Sequence, residues 1–247
     1  MVSIDRRAGS GPLQSFHAYT FRRDDGRGSI DLHWRFAPSH FPFPLDLERL
    51  WECSEPVSFA GTMVLSIPVE DLLLILCMHG AKDGWTRLIW ICDIAELIRA
   101  HRGMDWKRVM EQAGRLHSER RLLLGLLLAH NLLEAALPEN VLHRAQANLA
   151  VKSLAAQVHV RLFSESDIVT TVVERIAFHL RVMDRLRDRV PYLLYCLCEM
   201  LNPNSADQML LTLPARLSFL YYILRPIRLV GTYGPGLWKL KHRFPHR

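Results

Sequence analysis

Asp31 and His33 stand two residues apart in a segment, Ser29 to Phe36, that alternates strictly between polar and apolar residues. Ile30, Leu32, Trp34 and Phe36 share one face, and Ser29, Asp31, His33 and Arg35 share the other, which is the period of a half-buried strand. Side chains at i and i+2 of a strand are neighbours, roughly 7 Å apart. A carboxylate in that position suits Mg²⁺, and an imidazole beside it suits a phosphate or a base. The same row also reads as the wet outer face of a strand, and spacing alone leaves both readings open.

A second cluster runs His79-Gly80-Ala81-Lys82-Asp83-Gly84-Trp85 and continues to Leu88, Trp90 and Asp93. Gly80 and Gly84 bracket a helix end. His79 and Lys82 lie there as cations, where the helix dipole is negative. Both suit phosphate contact, and both equally suit a helix C-cap above a buried pair, Trp85 and Trp90. Asp93 sits in an apolar stretch. If buried it needs a partner, and His79 and Lys82 are the nearest choices. Trp34, Trp85, Trp90 and Asp93 are therefore expected to be structural.

Sharper catalytic motifs are absent. The chain has no HExxH, GxSxG, Walker A or GxGxxG pattern. His101, His117, His130, His143, His159 and His179 scatter over separate helices and read as surface or core residues. The five cysteines form no CxxC pair, so reduced thiols in a cytoplasmic protein are expected, with Cys196 and Cys198 in the core.

The elements that must position these residues divide in two. Phe16 to Phe21 and Ser29 to Phe36 predict a hairpin across the five-residue loop Asp24 to Gly28. Pro38, Pro42 and Pro44 then break the chain, a short helix is expected over Leu45 to Glu52, and one strand within Val57 to Ile67. From Pro68 the pattern is helical, with Glu70 and Asp71 at the favourable end of the dipole. Further helices are expected at Thr86 to Ala100, from an Asp105 N-cap, from Ser118 to near Pro138, over Glu139 to Phe163, and along a stripe of Val169, Val172, Val173, Ile176, Leu180 and Met183. Pro191, Pro203 and Pro214 are expected to punctuate shorter helices, and Ser205 with Gln208 fits a capping box. The fold class is α+β and mostly α: a short antiparallel β region at 1–66, a helical domain at 67–212, and a C-terminal helix with a basic tail at 213–247. The apolar face of Ile30, Leu32, Trp34 and Phe36 is expected to pack on the helices, and the strand edge beside it to be unpaired.

Composition is that of an ordinary folded protein: 247 residues, 49% hydrophobic, 23% charged. No run is long and apolar enough for a transmembrane helix, and the N-terminus has no signal-peptide core. The net charge of +6 is unevenly spread. Asp207 is the last acid, and seven Lys or Arg follow it, so the first 207 residues are nearly neutral. The charge predicts no specific nucleic-acid partner. The segment Trp238 to Arg243 allows at most a weak contact with an anionic surface.

Taken together, the string Ile30-Asp31-Leu32-His33-Trp34 and the series His79-Gly80, Lys82, Trp85, Leu88, Trp90, Asp93-Ile94-Ala95, followed by Asp105-Trp106, Ala113 and Arg120-Arg121, resemble a bacterial family of uncharacterised nucleotidyltransferases in the polymerase-beta-like superfamily. The resemblance implies transfer of a nucleotide from an NTP to an acceptor that the sequence does not identify. It also implies a Gly-Ser turn for the triphosphate and an Asp-x-Asp pair that binds two Mg²⁺ ions with a third carboxylate. Asp31 matches that third position, and His33, His79 and Lys82 become substrate-binding candidates. The chain departs from the pattern: Gly9-Ser10 and Asp24-Asp25 lack the flanking strand and the alternation. The expectation is a truncated, catalytically incomplete member, with Mg²⁺ only in a full-length form and no cofactor for this chain alone. The alternative is a non-catalytic helical protein-interaction module.

Overall fold

The computed structural model describes residues 2–5, 18–23, 25, 27–164, 171–203, 207 and 214–228. Chain contacts divide the protein into two compact units, one of Met1–Arg7 with Ser15–Tyr192, the other of Ala8–Gln14 with Leu193–Arg247. It is α+β and mostly helical, as expected.

The first unit opens with an antiparallel sheet in the order β1 (Val2–Asp5), β2 (Ala18–Arg23), β3 (Ser29–His33). The β2–β3 pair is the expected hairpin, with Thr20 opposite Asp31 and the Arg23 amide closing the loop on the Gly28 carbonyl at 3.1 Å. The strand ends at His33, three residues early, as the chain turns toward Pro38. The β1 strand was not foreseen: Val2 and Ile4 alternate with Ser3 and Asp5, but four residues are too short a run to stand out. Among the described residues β3 is an edge strand, as predicted. Its apolar face is a correction: Ile30 is 73% exposed, and Leu32 and Trp34 are also in solvent rather than packed on the helices.

Helix α1 (Leu47–Glu52) starts where Asp46 accepts the Arg49 amide. The single strand expected next is a hairpin, β4 (Glu55–Phe59) and β5 (Thr62–Ser66). Ala60 and Gly61 both take positive φ (49° and 81°), the type I′ geometry that lets a two-residue turn follow the strand twist. Ala-Gly is a poorer signal for this turn than Asn-Gly, which is why one strand was read across it.

The helical part contains α2 (Val69–Lys82), α3 (Ile89–Ala100), α4 (Trp106–Arg115), α5 (Glu119–Leu133), α6 (Glu139–Ala147), α7 (Leu149–Phe163) and α8 (Val172–Val182), followed by α9 (Leu186–Leu201), which starts in this unit. Helix α5 is the hub. Leu122 to Ala129 are buried on every side of it, against α2, α3, α6 and α7. That burial explains a helix with no polar face. Glu139 to Phe163 is two helices, not one. Asn148 leaves the helical region (ψ 104°), and its side chain accepts the Ala150 and Val151 amides, stopping α6 and starting α7. The α8 stripe is also shifted. Val173 is exposed, while Phe178, His179, Val182 and Met183 are buried; Val169 lies outside the described residues. Pro191 does not break the chain but sits inside α9, in its second turn, where it removes the backbone bond to the Arg187 carbonyl and crowds that group.

Two polar groups hold this unit together from inside. Asp71, fully buried in the first turn of α2, accepts from Arg49 Nη2 at 3.1 Å and from Gln112 Nε2, tying α1 and α4 to α2. The dipole alone had been its expected role. Arg121, also buried, donates to the Pro42 carbonyl at 2.6 Å and lies 4.6 Å over the Phe41 ring, which anchors the proline-rich segment. Burial lowers its pKa to about 10, well above neutrality, so the guanidinium is charged.

The second unit holds the rest of α9, a 3₁₀ helix at Ala215–Leu220 and a helix over residues 221–228. Cys196 and Cys198 are half-exposed rather than core residues. Ser205, Gln208 and residues 229–247 lie outside the described residues.

Candidate functional site

Helix α2 ends beside the sequence-predicted cluster because its last turn is closed by two left-handed residues. Gly84 (φ 67°) and Trp85 (φ 54°) reverse the chain, and the Trp85 amide returns to the Gly80 carbonyl at 2.8 Å. The reversal drives the Trp85 indole into the core, where it is completely buried. Arg161 of α7 then clamps the turn by donating to the Gly84 carbonyl at 2.6 Å while lying 5.3 Å over the Phe178 ring.

The helix end carries three ionisable side chains. Asp83 stands between His79 (Nε2 to Oδ2, 3.4 Å) and Lys82 (Nζ to Oδ1, 3.3 Å). His79 meets Trp90 edge-on, with ring centroids 5.4 Å apart and planes at 90°. Partial burial lowers the His79 pKa; Asp83 opposes this, Lys82 and His33 add to it, and Asp93 opposes it more weakly. Asp31 lies in β3 opposite Thr20, two residues from His33, and its side chain is outside the described structure.

Three of the predicted residues, His79, Lys82 and Trp90, therefore gather around Asp83, and Trp85 supports them from beneath. Asp93 is corrected. Helix α3 turns Ile91, Ile94, Ala95 and Ile98 inward, which leaves Asp93 exposed, and the carboxylate that pairs with His79 and Lys82 is Asp83. Its position one residue beyond Lys82 is the signal that identifies it. Trp85 and Trp90 are not a buried pair, since Trp90 is only half-buried.

A histidine that sequence reasoning passed over has the most perturbed imidazole. His179 is buried among Phe41, Phe178 and Tyr192, and its Nδ1 lies 2.6 Å from the Tyr192 hydroxyl. Burial pushes its pKa down to about 4, against a smaller opposing effect of the Lys82 backbone. Its spacing on α8 with Phe178 and Val182 is the only sequence trace of this role.

A neutral imidazole and an ammonium at one helix end can contact an anionic group such as a phosphate. Among the described residues, no three His, Cys, Asp or Glu side chains gather to hold a metal ion. They do not by themselves fit a pair of Mg²⁺ ions. Among the described residues no helix is long and apolar enough to cross a membrane.

The family described as uncharacterised nucleotidyltransferase matches residues 7–134, just over half of the chain and the whole of this cluster. No curated protein and no solved structure matches.

Proposed function

The chain belongs to the uncharacterised nucleotidyltransferase family, and from that premise we propose that it carries one carboxylate, Asp31, and the phosphate-contacting end of α2 for transfer of a nucleotide from an NTP. The observation that carries this reading is the end of α2, where His79 and Lys82 both stand beside Asp83 at 3.4 and 3.3 Å. That helix end offers an imidazole and an ammonium, and strand β3 carries Asp31 and His33. Nucleotidyl transfer needs cations against the triphosphate and carboxylates for metal, and these residue types fit the two tasks.

The reading assigns Mg²⁺ only to a complete carboxylate set, and no Asp-x-Asp pair is among this chain's residues. Exposed Ile30 and Leu32 on the same strand support this, because an apolar sheet face in solvent is a surface that further structure covers. Alone, the chain releases no pyrophosphate.

The test is to incubate the purified chain with each NTP and Mg²⁺ and to measure pyrophosphate. None is expected, and release would overturn the incomplete-site reading. In a longer form that carries the missing motifs, Asp31→Asn should abolish transfer, while Lys82→Ala should raise the KM for NTP. Unchanged transfer by the Asp31→Asn form would remove Asp31 from the site.

A further inference from the structure

The C-terminal end of a helix normally repels an anion, because its last carbonyls lack partners and carry the negative end of the dipole. The end of α2 is built differently. The His79, Gly80 and Ala81 carbonyls accept the amides of Asp83 (3.1 Å), Trp85 (2.8 Å) and Gly84 (3.2 Å). The Asp83 carbonyl accepts the Thr86 hydroxyl at 3.2 Å. The Gly84 carbonyl accepts Arg161 Nη1 at 2.6 Å. Five of the six carbonyls from His79 to Gly84 are thus turned to protein donors. The side chains of His79, Lys82 and Asp83 are left to set the charge of this helix end.

Arg161 differs from the other four donors. It comes from α7, 77 residues further along the chain, and it alone brings a full positive charge. The approach depends on the residue it meets. A Cβ on Gly84 would stand 3.0 Å from the same Nη1, so the guanidinium reaches the turn because that position has no side chain. A neutral donor would serve a clamp alone. Here a cation is kept although partial burial lowers its pKa, with Glu174 opposing the effect. The residue also lies beyond the stretch 7–134 that the family matches. Resting on the reading of this helix end as a phosphate contact, we propose that Arg161 is its positioning residue. It takes up the Gly84 carbonyl that would repel an anion, and its charge favours the triphosphate that His79 and Lys82 meet.

The test is calorimetric titration of the full chain with inorganic triphosphate at neutral pH, below the thermal midpoint of every variant. The wild type should bind, and Lys82→Met should weaken binding about tenfold. Arg161→Gln keeps a donor for the Gly84 carbonyl and loses the charge. Relative to the wild type at the same salt, it should weaken binding about fivefold at about 0.05 M and less than about twofold near 0.5 M, where screening removes a charge effect. Arg161→Lys keeps the charge and should stay within about twofold of the wild type. Wild-type affinity in Arg161→Gln overturns the proposal. So does a loss of equal size at both salt concentrations, or one as large in Arg161→Lys, since either marks a clamp without an electrostatic role. Any of these beside an intact Lys82→Met loss leaves the reading of the helix end standing, whereas a wild type that binds no triphosphate overturns both.

Discussion

A Cβ atom on Gly80 would lie 2.4 Å from the indole ring of Trp85. The ring fills a slot whose other wall is Gly125, where a Cβ would stand 3.1 Å from the same ring and 2.6 Å from the Cys77 sulfur. Two glycines on α2 and α5 thus make room for one tryptophan, whose left-handed backbone is held by the turn that ends α2. The slot also sets the position of His79 and Lys82, which share that turn.

Gly80→Ala should therefore destabilise the protein by about 2–4 kcal/mol, since neither the buried ring nor the backbone that carries it can retreat. Gly103→Ala, which meets nothing within 4 Å, is the control and should stay within about 0.5 kcal/mol. Urea unfolding followed by tryptophan fluorescence measures both. Equal midpoints for the two variants would show that the slot is soft.

His179 makes stability fall in acid. Its folded pKa of about 4 lies below the ordinary 6.5, so between those values the unfolded chain holds a proton that the folded chain lacks. Stability is full above pH 6.5 and is lost as pH falls toward 4, by up to about 3 kcal/mol. Unfolding free energies at a series of pH values should show this slope, and His179→Gln should flatten it. An unchanged slope in the variant would assign the acid loss to other groups.

The helical half of the fold was legible because its signals are local. Asp105 as an N-cap, the left-handed turn at Gly84 and the all-apolar α5 each follow from a few adjacent residues. The β region was legible as hairpins but not in its packing. Alternation tells which residues share a face and not whether anything covers it, so Ile30 and Leu32 were expected inside. The candidate site was half legible. His79 and Lys82 are neighbours in sequence, whereas the carboxylate between them, Asp83, was passed over in favour of Asp93. The buried roles of Asp71 and Arg121 were not foreseen, and His179 was read no further than surface or core, because their partners, Arg49, Pro42 and Tyr192, arrive from other elements.

Asp184 starts α5 from a distance. Ser118 stands at the N-cap but makes no cap bond, and the Asp184 carboxylate instead accepts the Glu119 amide at 2.7 Å and the Arg120 amide at 3.1 Å. Asp184→Ala should cost about 1–2 kcal/mol, the usual worth of a cap. Burial raises the Asp184 pKa despite these bonds, so the folded state keeps this proton more readily than the unfolded chain. The carboxyl's contribution accordingly shrinks as pH rises through that pKa, and the deficit of the Ala variant should be wider in acid than at neutral pH. Denaturation of both proteins at pH values on either side of the carboxyl range checks the sign, and a deficit that narrows in acid would contradict it.

The electrostatics of the helix end can be read without any turnover. Burial is the largest influence on His79 and lowers its pKa, and Asp83, 3.4 Å from Nε2, is the largest influence that opposes it. Asp83→Asn removes that support, so the imidazole titration followed by NMR should move further down. Lys82→Met removes a like charge and should move it up. His33→Gln should also move it up, by less than Lys82→Met, because the charge of His33 ranks below that of Lys82. This last shift is the decisive one. It tests whether β3 approaches α2 in solution, and a His79 titration indifferent to His33 would separate the strand of Asp31 from the cations it is proposed to work with.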